Sequence, residues 1–102
     1  MAIIEEVGLE KVVFVGVITQ KDIESKVYEN LEELAFLAET AGASGVKTFI
    51  QRLDKPNPKT YIGSGKIEEM KAYITEKDIK LVIFDDELSP SQLRNIEAEL
   101  EC

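Results

Sequence analysis

Residues 12–18 read Val12-Val13-Phe14-Val15-Gly16-Val17-Ile18, and this run decides the fold. It has no polar side chain and is rich in β-branched residues, so it is too short for a buried helix and too uniformly apolar for a strand with one wet face. It reads as a strand covered on both sides, the condition of a parallel sheet flanked by helices. Working outward, Val27, Leu31, Leu34, Ala38 and Ala41 recur every three or four positions, with Glu29, Glu32, Glu33 and Glu39 between them. That spacing predicts an amphipathic helix opening near Asp22 to Ser25 and stopping at Gly42. Val46, Thr48 and Ile50 then alternate with Lys47, Phe49 and Gln51, the pattern of a strand with one wetter face.

Leu53-Asp54-Lys55-Pro56-Asn57-Pro58-Lys59 holds two prolines around one asparagine, so it is a loop. After Tyr61-Ile62-Gly63-Ser64-Gly65-Lys66, the residues Ile67, Met70, Tyr73 and Ile74 predict a second helix running to about Asp78. Lys80-Leu81-Val82-Ile83-Phe84 is a third, apolar strand. Ser89, Pro90 and Gln92 form a capping box with proline at the first helical position, Leu88 and Leu93 stand where a hydrophobic staple needs them, and Leu93, Ile96 and Leu100 supply the stripe of a last helix. The order is β-α-β-α-β-α, with strands starting near 12, 46 and 81, a spacing that βαβ units require. The alternating second strand belongs at an edge, and the first and third, apolar throughout, belong inside. The expected fold is therefore α/β, a Rossmann-like three-stranded parallel sheet of order 2-1-3 flanked by helices. Residues 1–10 read as an N-terminal leader and 11–102 as the domain. A fourth strand beside the third would continue such a sheet after residue 102, and without it the third strand is an open edge suited to pairing between two copies.

Composition removes whole classes of chemistry. The chain is 102 residues with 12 Lys and Arg against 20 Asp and Glu, a net charge of −8, one Cys and no His. That length suits one domain. Without His there is no Ser-His-Asp or Cys-His nucleophile and no His-containing zinc site. One Cys excludes an internal disulfide and a Cys-only metal site, which suits a reducing cytoplasm, and Cys102 lacks a base to activate it. No apolar run is long enough to span a membrane, and the start, MAIIEEVGLEK, lacks the basic region of a secretory signal.

The residues offer three candidate sites and no catalytic one. Gly63-Ser64-Gly65-Lys66 opens a helix, where backbone N–H groups and the dipole favour an anion. A Walker A loop fails there, because Thr60 and Ile67 stand where Gly and Ser or Thr are needed. The same residues also read as a tight turn whose glycines adopt positive φ. Between residues 47 and 66, Lys47, Arg52, Lys55, Lys59 and Lys66 face Asp54 alone, a local +4 that leaves −12 for the rest. Such a polarised chain either presents one basic face to RNA or merely carries a solvated basic loop. Tyr61 reads as a base-stacking group or as a half-buried anchor. Asp85-Asp86-Glu87 follow a strand at the end where open α/β sheets bind ligands, and read either as Mg²⁺ ligands, with Asp85 and Asp86 the candidates, or as acids set against a helix dipole.

Taken together, these stretches resemble a known family. Leu31-Glu32-Glu33-Leu34-Ala35-Phe36-Leu37-Ala38-Glu39-Thr40-Ala41-Gly42-Ala43 is similar to the first helix of the HflX family of ribosome-associated GTPases. So are Gln51-Arg52, Thr60 through Lys66 with Glu68-Glu69, and Phe84 through Asn95. The resemblance implies the N-terminal α/β part of a longer chain that continues into a helical hairpin and a GTPase domain. That family binds the large (50S) ribosomal subunit, hydrolyses GTP with Mg²⁺, and is linked to splitting stalled or hibernating ribosomes under stress. No GTPase motif occurs in these 102 residues, so the resemblance assigns them no cofactor and no hydrolysis of their own. It implies a binding and positioning domain in the cytoplasm, with the ribosomal RNA and its own GTPase domain as partners, for which the local charge offers Lys47, Arg52, Lys55, Lys59 and Lys66, with Tyr61, as contact candidates. The alternative it leaves is an auxiliary ATP or GTP phosphate site at Gly63, Ser64, Gly65 and Lys66.

Overall fold

The computed structural model describes residues 10–101. The leader reading of residues 1–10 therefore lies outside the described residues except at Glu10, which opens the first strand. The elements are β1 (Glu10–Ile18), α1 (Glu24–Thr40), β2 (Ala43–Arg52), α2 (Ser64–Lys77), β3 (Leu81–Phe84) and α3 (Pro90–Leu100). Both strand pairings are parallel and the sheet order is β2-β1-β3, as the sequence predicts for a Rossmann-like fold.

β1 is buried from Val12 to Ile18 because each face of the sheet has its own core. Val13, Val15 and Val17 point toward α2 and α3, where they join Phe49, Ile62, Ile67, Met70, Ile74 and Ile96. Val12, Phe14 and Ile18 point the other way, onto Val27 and Leu31 of α1. Pleat alternation thus feeds two cores from one strand, and a strand with no polar position is the result.

The structure departs from the simple pattern in β2. The register shifts at Val46: Val12 faces Gly45 and Val13 faces Lys47, so Val46 is the extra residue of a bulge. The bulge reverses which parity faces which core. Phe49, with Lys47 and Gln51, points toward α2, and Phe49 is buried. Thr48 and Ile50 point toward α1, and Val46 is 38% exposed. The expected apolar face of Val46, Thr48 and Ile50 is therefore replaced by a partner on each side of the sheet, Phe49 and Ile50, because a bulge breaks period-2 reading.

The helix ends follow their sequence signals with two changes. α1 has Ile23 as its N-cap with no side-chain cap; Asp22 instead accepts from the Thr19 N–H and hydroxyl, at 2.7 and 2.9 Å, and fixes the preceding turn. Gly42, at φ +95°, reverses the chain into β2. α3 has the full capping box, Ser89 Oγ accepting from the Gln92 N–H while the Gln92 side chain accepts from the Ser89 N–H. Of the stripe expected there, Ile96 and Leu100 are buried, but Leu93 is 44% exposed and lines a groove of about 140 Å³ with Leu81, Val82 and Phe84. The groove runs along β3, whose four residues are all half-buried: the inner place expected for this strand is not found, because among the described residues no strand pairs with its outer side.

Candidate nucleic-acid interface

The site begins with the bulge, which turns Lys47, Phe49 and Gln51 onto the face where α2 lies. The Phe49 ring packs edge-on against Tyr73 of α2 at 5.8 Å. Lys47 Nζ lies 5.5 Å and Lys66 Nζ 6.0 Å from the centre of that same ring. The ring face attracts both ammonium groups, and so holds two like charges together. Lys66 lays its stem along this surface, its side chain only 19% exposed, and bonds Glu69 at 3.1 Å. Lys47 has no ion pair among the described residues. Next along β2, Gln51 Oε1 accepts from the Gly63 N–H at 2.9 Å, which pins the start of α2 to the strand.

That helix start differs from the turn the sequence allows. Gly63 is the N-cap at φ −74°, and neither it nor Gly65 has positive φ, so the positive-φ reading of these glycines does not hold. The left-handed residue is Tyr61, at φ +69°. Space explains Gly63 but not Gly65. A Cβ on Gly63 would stand 3.0 Å from the Gln51 amide, while the space around Gly65 is open. Gly63 supplies no side-chain cap and the first turn holds no acid, so no side chain of that turn satisfies the N-terminal N–H groups of α2.

The loop before α2 is braced from α3. Asn57 Oδ1 accepts from the Lys59 and Thr60 N–H groups at 2.8 and 3.2 Å, and Asn57 pairs through its backbone with Tyr61. Gln92 Nε2 donates to the Asn57 carbonyl and Asn95 Nδ2 to the Lys59 carbonyl, at 2.9 and 2.8 Å. Lys59 is thereby set beside Ser64, in a groove of about 240 Å³ that also holds Glu68 and Glu99. Asn57, Gln92 and Asn95 escape sequence reading as site residues, although the signal exists: a capping box closed by Gln rather than Glu has a spare amide donor. Gln92→Glu keeps the cap and removes that donor. Hydrogen exchange should then quicken at the Lys59 and Thr60 amides by about tenfold, corresponding to roughly 1 kcal/mol, with α3 unchanged.

The remaining candidates fall elsewhere. Arg52 pairs with Glu24, on the α1 side of the sheet. Lys55 is exposed in the loop. Tyr61 takes the anchoring reading: its ring packs edge-on against Phe84 at 6.3 Å, and its hydroxyl bonds Asp86. Asp86 also receives a backbone hydrogen bond from Val17, so it sits between the carboxyl ends of β1 and β3. No three carboxylates, His or Cys converge as metal ligands among the described residues. Burial, with neighbouring carboxylates, raises the carboxyls of Asp85 and Asp86 above the usual range. Burial first, then Asp86, pushes the Tyr61 phenol well above 10. A phenol harder to ionise when folded stabilises the fold fully below pH 10, and that contribution is lost as pH rises further. Stability should fall above pH 10 more steeply in the native chain than in Tyr61→Phe, measured by urea unfolding across that range.

The structure is thus a three-stranded parallel α/β sheet with a basic helix start that lacks a side-chain cap. The family model for the GTP-binding GTPase N-terminal region matches residues 28–102. The chain is 48% identical over 98 residues to a GTPase HflX of Flavobacterium psychrophilum, covering 96% of this chain and 24% of that protein. It is 46% identical over 92 residues to a GTPase HflX of Lacrimispora saccharolytica, covering 90% and 21%. It is 33% identical over 79 residues to a GTPase HflX of Escherichia coli, covering 78% and 18%. The chain belongs to this family and corresponds to the N-terminal part of HflX GTPases. It spans about a quarter or less of the length of these relatives.

Proposed function

We propose that this domain docks an HflX GTPase on the large ribosomal subunit by seating ribosomal RNA phosphates on the β2–α2 surface. The gathering of Lys47 and Lys66 on Phe49, beside an α2 start without a side-chain cap, carries this reading. Phosphate contact needs ammonium groups and free N–H groups on one surface, and needs no base-specific chemistry. The Lys66–Glu69 pair does not oppose it, since a pair whose acid stands largely in solvent contributes only about 0–1 kcal/mol. In the whole protein the domain positions the GTPase domain, where GTP and Mg²⁺ act, and the cytoplasmic work is release of stalled or hibernating ribosomes under stress. The test is co-sedimentation of the 102-residue chain with purified large subunits. Binding at low salt that falls steeply as salt rises is expected; no binding at low salt rejects the reading.

A nucleotide phosphate at the same α2 start is the second reading, favoured by the open space over Gly65. Calorimetric titration with ATP or GTP and Mg²⁺ separates the two: heat that disappears in Lys66→Ala supports this second reading.

A further inference from the structure

Among the described residues, four of the six exposed large apolar side chains belong to α1 or its cap and are spread around that helix, while Val46 and Leu93 lie elsewhere. The four are Ile23, Tyr28, Phe36 and Leu37, with Phe36 68% and Leu37 56% exposed. α1 buries Val27 and Leu31 against the sheet, and at 100° per residue Phe36 stands on the opposite side. Glu29, Glu32, Glu33 and Glu39 lie one or two turns from Phe36 along the same outer face. None of these four carboxylates is in an ion pair among the described residues; Glu24 pairs with Arg52, and Lys26 is the one cation on the helix.

Charge selects the occupant. RNA and anionic lipid are repelled by this face. A second copy placed across it would set the four carboxylates against their equivalents. A chain bearing Lys or Arg between apolar residues fits: its cations meet the carboxylates and the Phe36 ring, and its apolar side chains cover Phe36 and Leu37.

We infer that the outer face of α1 is a docking surface for a basic, apolar-bearing segment of a partner protein. It lies on the side of the sheet opposite α2, so RNA and protein contacts would occupy different faces. The inference stands apart from the reading of the β2–α2 surface.

The probe is a fluorescent amphipathic peptide of Lys, Arg and Leu, with an oligolysine of equal charge as control, titrated into the 102-residue chain. Phe36→Ala/Leu37→Ala removes the apolar centre and keeps every carboxylate. It should weaken the amphipathic peptide by about tenfold or more, because exposed aromatic anchors carry most of such binding. The unfolding midpoint should stay unchanged, and peptide-induced amide shifts should centre on residues 28–40. Equal affinity of the variant, oligolysine binding as tight as the amphipathic peptide, or shifts centred on Asp85 to Glu87 would overturn the inference.

Discussion

Phe14→Ala is expected to lose about 3–5 kcal/mol of folding stability, a large part of the roughly 5–15 kcal/mol that holds a domain of this size together. Phe14 is 2% exposed in the middle of the central strand. Its ring fills the space between α1 and the backbone of β2, where a Cβ on Gly45 would come within 2.7 Å of the ring edge. Truncation leaves a cavity that neither Val27 nor Leu31 can fill without moving α1 as a body. Urea unfolding followed by circular dichroism reads the loss. Phe36→Ala, at the exposed end of the same sheet–helix pair, is the internal contrast and should lie within about 0.5 kcal/mol of the native chain. Equal losses at 14 and 36 would contradict the assignment of the two helix faces.

Reversing the two gathered lysines is the second large effect. Lys47→Glu/Lys66→Glu should weaken large-subunit binding by about 10- to 100-fold at low salt, since two phosphate contacts are lost and two repulsions are gained. Arg52→Glu serves as the control, because Arg52 is tied to Glu24 on the other side of the sheet and should change binding little. Co-sedimentation gives both numbers. Folding should survive the double change, as both ammonium groups lie over Phe49 at the surface and the ring stays packed against Tyr73. A result in which Arg52→Glu costs as much as the double reversal would move the contact to the α1 face and away from α2.

Much of this molecule is legible in its residues, for identifiable reasons. The uniform apolarity of Val12 to Ile18 places β1 inside the sheet and gives the order β2-β1-β3. The Ser89, Pro90 and Gln92 signature fixes the start of α3, since capping is a local interaction with local spelling. The bulge at Val46 is not legible, because one extra residue reverses the faces of β2 with no change in composition. That reversal is also what brings Lys47 to Lys66, so the candidate site follows from the feature hardest to read. The glycines before α2 suggest a positive-φ turn, whereas the left-handed residue is Tyr61, held there by Phe84 and Asp86, which are distant in sequence. The basic count over residues 47–66 is right as arithmetic. It does not separate Arg52 from the others, because strand parity decides which side of the sheet a charge reaches.

The salt dependence of large-subunit binding tests the central claim most directly. For the native chain the logarithm of the binding constant should fall linearly with the logarithm of salt concentration. In Lys47→Ala/Lys66→Ala the slope should be shallower by about 1.4 to 1.8, the value for two phosphate contacts removed. A native chain whose binding ignores salt, or a double variant with an unchanged slope, would contradict the phosphate-docking account of the β2–α2 surface.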